Sequence, residues 1–167
     1  MIHKFLVTLI LLTIAWPAAS YASLTSLVSF ELSLAGYQLG MSFDDVAKIR
    51  PFHYEQSSIE GTDNTSTFYA LIDQVYVDGA AMSLQVSFKD EKVHKIVARM
   101  APDFFENVKR NIEQALGVAE DKSRVFGNYN NEEIYQTIYL WDFPNAKIHL
   151  NNVSSNHEFL TICLTSK

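Results

Sequence analysis

The chain reads as an α+β protein built from two short helix-plus-antiparallel-meander units, with the helices packed on one face of the sheet. Three observations predict this. Apolar and polar residues alternate over several stretches, as half-buried strands require. Hairpin chemistry joins neighbouring stretches, most clearly at Asp78-Gly79, because both central positions of the favoured two-residue turn need positive φ. Two segments, beginning near Phe43 and Phe105, switch to a helical period with start and stop residues at their ends. The two subunits run roughly over residues 28–100 and 101–167, inside a single exported domain of residues 23–167.

Ahead of that domain stands a leader. Met1-Ile2-His3-Lys4 is positively charged, Phe5 to Ala15 is apolar, and Ser20-Tyr21-Ala22 supplies the small residues of a signal-peptidase exit. The apolar run is shorter than the roughly 20 residues a bilayer span needs. Residues 1–22 are therefore expected to be a cleaved signal peptide, leaving a soluble periplasmic or secreted product with no stable membrane insertion. The only cysteine, Cys163, permits no internal disulfide, so stability has to come from packing, and no cysteine stands near the cleavage site to carry a lipid. A net charge of −6 without a basic stripe argues against nucleic acid and anionic lipid as partners.

Each element has a local reason. From Val28 to Leu34, Phe30, Leu32 and Leu34 alternate with Ser29, Glu31 and Ser33, predicting a short strand. Ser42 and Asp45 make a capping box for a helix whose apolar face is Phe43, Val46 and Ile49 and which Pro51 stops. Residues 52–67 are polar and predict a long loop. Strands follow over residues 67–77, 80–89 and 92–100, turned by Asp78-Gly79 and by Asp90-Glu91. The second helix is expected to be capped by Asp103 with Glu106, striped by Phe105, Val108, Ile112, Ala115 and Leu116, and ended by Gly117. Strands return at about residues 124–129, 133–143, 146–151 and 158–165, with Pro144-Asn145 turning the central pair.

The segment Leu39-Gly40-Met41-Ser42-Phe43-Asp44-Asp45-Val46 resembles the Leu-Gly-Met-Ser/Thr helix opening of the SmpA/OmlA family of small outer-membrane assembly lipoproteins and of the related beta-lactamase inhibitory protein domains. Val86-Ser87-Phe88-Lys89-Asp90-Glu91-Lys92-Val93 is similar to the hairpin that follows in those families. The likeness covers roughly residues 36–100. It implies short helices on one face of an antiparallel meander, and an envelope protein that works through protein partners.

Reactive side chains are sparse. His53, His94, His149 and His157 are scattered, with no His-Glu-x-x-His and no Cys-x-x-Cys, so neither metal nor cofactor is expected. The carboxylate pairs Asp44-Asp45, Asp90-Glu91, Glu120-Asp121 and Glu132-Glu133 belong to a helix start, a hairpin and polar connections, not to the apolar settings a catalytic acid needs. Cys163 with His149 is the sharpest catalytic possibility, an envelope hydrolase whose thiolate is activated by an imidazole, and it depends on strand register. The stronger signal is aromatic. Tyr135, Tyr139, Trp141 and Phe143 fall on one side of their strand, Ile134, Ile138 and Leu140 on the other, and Tyr and Trp anchor many interfaces. The sequence thus points to a periplasmic protein-binding module, accessory or inhibitor-like, that recognises another envelope or secreted protein through Tyr135, Tyr139, Trp141 and Phe143, with Tyr69 an addition. Alternatives are the Cys163 hydrolase and an envelope structural or assembly factor.

Overall fold

The computed structural model describes residues 33–57, 67–77, 80–129, 132–153 and 156–167. In chain order it runs β1 (Ser33–Leu34), β2 (Tyr37–Gln38), α1 (Phe43–Ile49), β3 (His53–Ser57), β4 (Thr67–Val77), β5 (Ala80–Lys89), β6 (Lys92–Met100), α2 (Phe105–Leu116), β7 (Glu120–Asp121), β8 (Arg124–Tyr129), β9 (Glu132–Asp142), β10 (Ala146–Val153) and β11 (Asn156–Ser166). The leader with its cleavage site and the Asp78-Gly79 turn lie outside the described residues.

The expectation of an α+β protein made of two helix-plus-meander units is overturned. The described residues are mostly β, with a large antiparallel sheet and two short α-helices among them. The nine-stranded sheet has the order β3-β4-β5-β6-β11-β10-β9, with β7 and β8 lying one after the other along the outer side of β9. The two meanders fuse because β11 pairs with β6 from Leu160↔Met100 to Thr165↔Lys95. Alternation identifies strands, but it carries no information about which strands pair across an intervening helix. In this sheet two strands escaped the sequence reading, as did β2, which pairs with β1 outside it. β3 comes from the polar stretch read as loop and pairs with β4 from His53↔Leu71 to Ser57↔Thr67, and β7 is two exposed acidic residues held only by β9.

The helix starts follow different chemistry. At α1 the Ser42 hydroxyl accepts from the Asp45 N–H at 3.2 Å while the Asp45 carboxylate accepts from the Ser42 N–H at 3.3 Å, so two orphan donors are satisfied reciprocally. The Ser42 hydroxyl also donates to the Asp45 carboxylate at 2.6 Å, and that bond, with Lys48 and the Ser42 N–H, holds the Asp45 carboxyl down at about 2. At α2 the expected Asp103 cap is absent. A 3-10 turn over Pro102–Phe104 occupies that place, so the helix starts at Phe105 without a side-chain cap. Ala115 is exposed, which narrows the buried stripe to Val108 and Ile112. The exit is as expected, Gly117 at φ 88° closing onto the Glu113 carbonyl at 2.8 Å.

Both helices contribute to one core. Val46, Val108 and Ile112 pack with successive rows of side chains that cross the sheet at right angles to the strands. One row is Ala70, Val86, Ile96, Leu164, Ile148 and Trp141; the next is Ile72, Leu84, Ala98, Ile162, Leu150 and Tyr139. All but Tyr139 are buried. Each fully buried Leu or Ile in these rows contributes roughly 1.5–3 kcal/mol relative to exposure, which is how a chain without a disulfide holds together.

Two bulges keep the rows in phase. In β4 one extra residue sits between Ile72 and Val75, with Gln74 at φ 56°, and the Arg50 guanidinium donates to the Gln74 carbonyl at 2.8 Å and the Asp73 carbonyl at 3.4 Å. An acceptor left unpaired by the bulge thereby finds a donor from the residue that ends α1. In β6 the extra residue is His94, between Val93↔Phe88 and Lys95↔Ser87. Were His94 instead paired as a regular strand residue, Lys95 would point into the core and Ile96 out of it.

Candidate functional site

Along β9 the aromatic side is the core side. Trp141 is 4% exposed and its indole N–H donates to the Gly117 carbonyl at 2.8 Å, tying β9 to the end of α2. Tyr139 is half-buried against Phe105, with ring centroids 6.0 Å apart, and Lys109 lies over its ring at 4.2 Å. Phe143 is half-buried against the core cluster. Tyr135 alone stands out, 52% exposed, its hydroxyl bonded to Glu133. Tyr69 lies on the opposite face of the sheet. The residues expected to form one aromatic partner surface are thus divided: Trp141 is structural, Tyr139 and Phe143 flank it, Tyr135 overhangs the end of the strand, and Tyr69 faces elsewhere. The physical reason is that α2 covers the aromatic side of β9, which leaves Ile138 and Leu140 on the other side, half-buried.

That other side is an extended register of mixed polar character. Reading across the sheet, one row is Tyr69, Ser87, Lys95, Thr165, Lys147 and Asp142; the next is Leu71, Gln85, Val97, Cys163, His149 and Leu140; the third is Ser83, Arg99, Thr161, Asn151 and Ile138. Most are half-buried by one another, Arg99 and Asp142 are exposed, and Val97 and Ser87 sit beneath their longer neighbours. On β5, β6, β10 and β11 the charged members of these rows are Lys95, Arg99 and Lys147, all cationic, and Lys89 stands on the same side at the end of β5. Acidic residues stand at the margins: Asp142 on β9, 3.8 Å from Lys147 and 2.5 Å from Lys167, while Glu55 on β3 continues the first row opposite Tyr69 and Glu120 on β7 the second opposite Leu140. The Lys167 bond, with Lys147 nearby, holds the Asp142 carboxyl below its ordinary value.

Cys163 is the direct cross-strand partner of His149, so register brings together the pair that the sequence left dependent on it. The thiol's hydrogen bond goes elsewhere, to the Thr165 hydroxyl at 3.2 Å. Burial, and then the charge of Lys147, push the His149 imidazole below its ordinary pKa, so at neutral pH it is a neutral ring. His94 is likewise lowered by burial, and its Nδ1 has no partner among the described residues. No group of three or more metal-ligating side chains occurs among the described residues, and none of their helices is long and apolar enough to cross a membrane.

The sequence reading missed Lys95, Arg99 and Lys147. A signal existed in the alternation of β10, where Lys147, His149 and Asn151 share a side. In β6 the His94 bulge switches parity, so simple alternation from Val93 assigns Lys95 and Arg99 to the wrong face. Comparison with known proteins gives nothing to set beside this geometry: no family model, no curated protein and no solved structure matches the chain.

Proposed function

We propose that the protein is an exported binding module, accessory or inhibitor-like, that recognises another envelope or secreted protein through the sheet face turned away from its helices. The observation that carries this reading is the unequal treatment of the two faces. One face holds the aliphatic rows, the helix contacts and Trp141; the other keeps half-buried hydroxyls, amides and cations in register over six strands. A β-surface of that composition offers hydrogen bonds and charge to a partner. The likeness of the α1 opening to the SmpA/OmlA and inhibitory-domain families supports an envelope setting.

The test is positional cross-linking in the cells that make the protein. A photo-reactive residue at Ala81 or Thr161 on the open face should give discrete adducts with another protein, whereas the same residue at exposed Glu106 on α2 should not. Equal labelling from both sides, or none from the sheet, would refute the proposal.

One observation favours a second reading. Because Cys163 and His149 face each other across β11 and β10, a thiol-dependent hydrolase remains a defined alternative. Alkylation of Cys163 decides it, since loss of a hydrolytic activity on modification is required by that reading and by no other.

A further inference from the structure

Resting on the reading of the open sheet face as the docking surface, we infer that its partner presents an acidic polypeptide segment, with carboxylates spaced to meet Lys95, Arg99 and Lys147. The argument is one of charge placement. A chain whose net charge is −6 has, on the open side of its four central strands, cations and no anion among the side chains described. Lys95 and Arg99 have no ion pair among the described residues, and Lys147 shares Asp142 with Lys167.

The spacing is regular because the sheet makes it so. Lys95 and Arg99 are four residues apart on β6, about 13 Å at the usual rise per residue. Lys95 and Lys147 occupy the same row two strands apart, about 10 Å. An extended segment laid along β6 with carboxylates at positions i and i+4 matches the first distance, and a third carboxylate from a neighbouring strand or turn matches the second. Thr161, Thr165 and Gln85 lie beside these cations and can bond the segment's remaining polar groups. Between the cations the apolar surface is small, Val97 being 8% exposed, and the exposed rings on this side, Tyr76 and Phe159, lie beyond the Arg99 end of the rows. A nucleic acid or an anionic bilayer presents dense negative charge over a much larger area, which the overall acidity of the chain repels.

The experiment uses the full chain and a synthetic peptide of alternating Glu and Thr, with a Gln-for-Glu version as control. The Glu peptide should bind, lose affinity steeply with added salt, and compete with the adducts formed from Ala81. The double variant K95E/R99E should bind it about tenfold more weakly or worse, and K95Q/R99Q should fall between that variant and the native chain. Equal binding of the Gln peptide, or unchanged affinity in both double variants, overturns the inference, as does tighter binding of a DNA oligonucleotide or of phosphatidylglycerol vesicles to the same face. If adducts form from Ala81 while the Glu peptide neither binds nor competes, the docking face stands and its acidic partner falls. If no adduct forms from the sheet, both fall together.

Discussion

On the helix side of β10 and β11, Ile148, Leu150, Ile162 and Leu164 are at most 1% exposed; on the other side of the same two strands Lys147, His149, Thr161 and Cys163 are half-buried. The backbone is common to both, so the difference lies wholly in what each side chain meets. Apolar burial is concentrated on one face, and half-buried polar and charged groups lie on the other. A substitution should therefore announce its side by what it damages, and the sharpest trials of the comparison place a residue on one face and look for the signature of the other.

The largest effect is expected at Trp141. Trp141→Ala removes a buried indole and leaves the Gly117 carbonyl without its donor, so about 3–5 kcal/mol of stability should be lost, read as a lowered urea midpoint. A variant of native stability that failed only to capture a partner would instead make the aromatic side the recognition surface. Arg50→Ala comes next. It deprives the β4 bulge of its guanidinium at an exposed position, and a loss of about 1 kcal/mol is expected, with faster amide exchange confined to the bulge. Uniform exchange along β4 would mean the bulge holds itself.

Acidification probes both faces more gently. His94 and His149 have folded pKa values lowered by burial, so the unfolded chain takes up protons first as pH falls from 6.5. Stability is complete above that value and declines below it until the folded values are reached. The urea midpoint should accordingly be lower at pH 5 than at pH 7.5, and the double variant H94Q/H149Q should flatten the slope; a midpoint that rises on acidification would contradict the burial of these rings. Tyr135→Ala closes the series. With its ring 52% exposed, it should shift stability by less than about 0.5 kcal/mol, and a loss rivalling that of Trp141→Ala would erase the distinction between the middle of β9 and its end.

How far the fold could be read in advance depended on the range of the interactions involved. The α1 capping box was legible because Ser42 and Asp45 are three residues apart. The Asp90-Glu91 hairpin was legible from the alternating segments around it, even though both turn residues take positive φ without a glycine. The end of α2 was written in Gly117. What failed was longer in range. The pairing of β11 with β6 joins segments on opposite sides of α2, and no local pattern encodes it. β9 is apolar on both sides, so its sequence could not say whether the aliphatic or the aromatic side would meet α2. The candidate face was hidden for a third reason, because the single inserted residue His94 reverses parity in the middle of β6.

The position of β11 has one more consequence. Of the strands described, it comes latest in the chain, yet its place is between β6 and β10. Until it arrives, each half carries an inner margin of unpaired backbone amides and carbonyls, the kind of template on which foreign strands grow. Assembly must finish with a long-range zipping step between hairpins made far apart in time, and the slow closure expected of such topologies gives a holding chaperone a wide window in which to act.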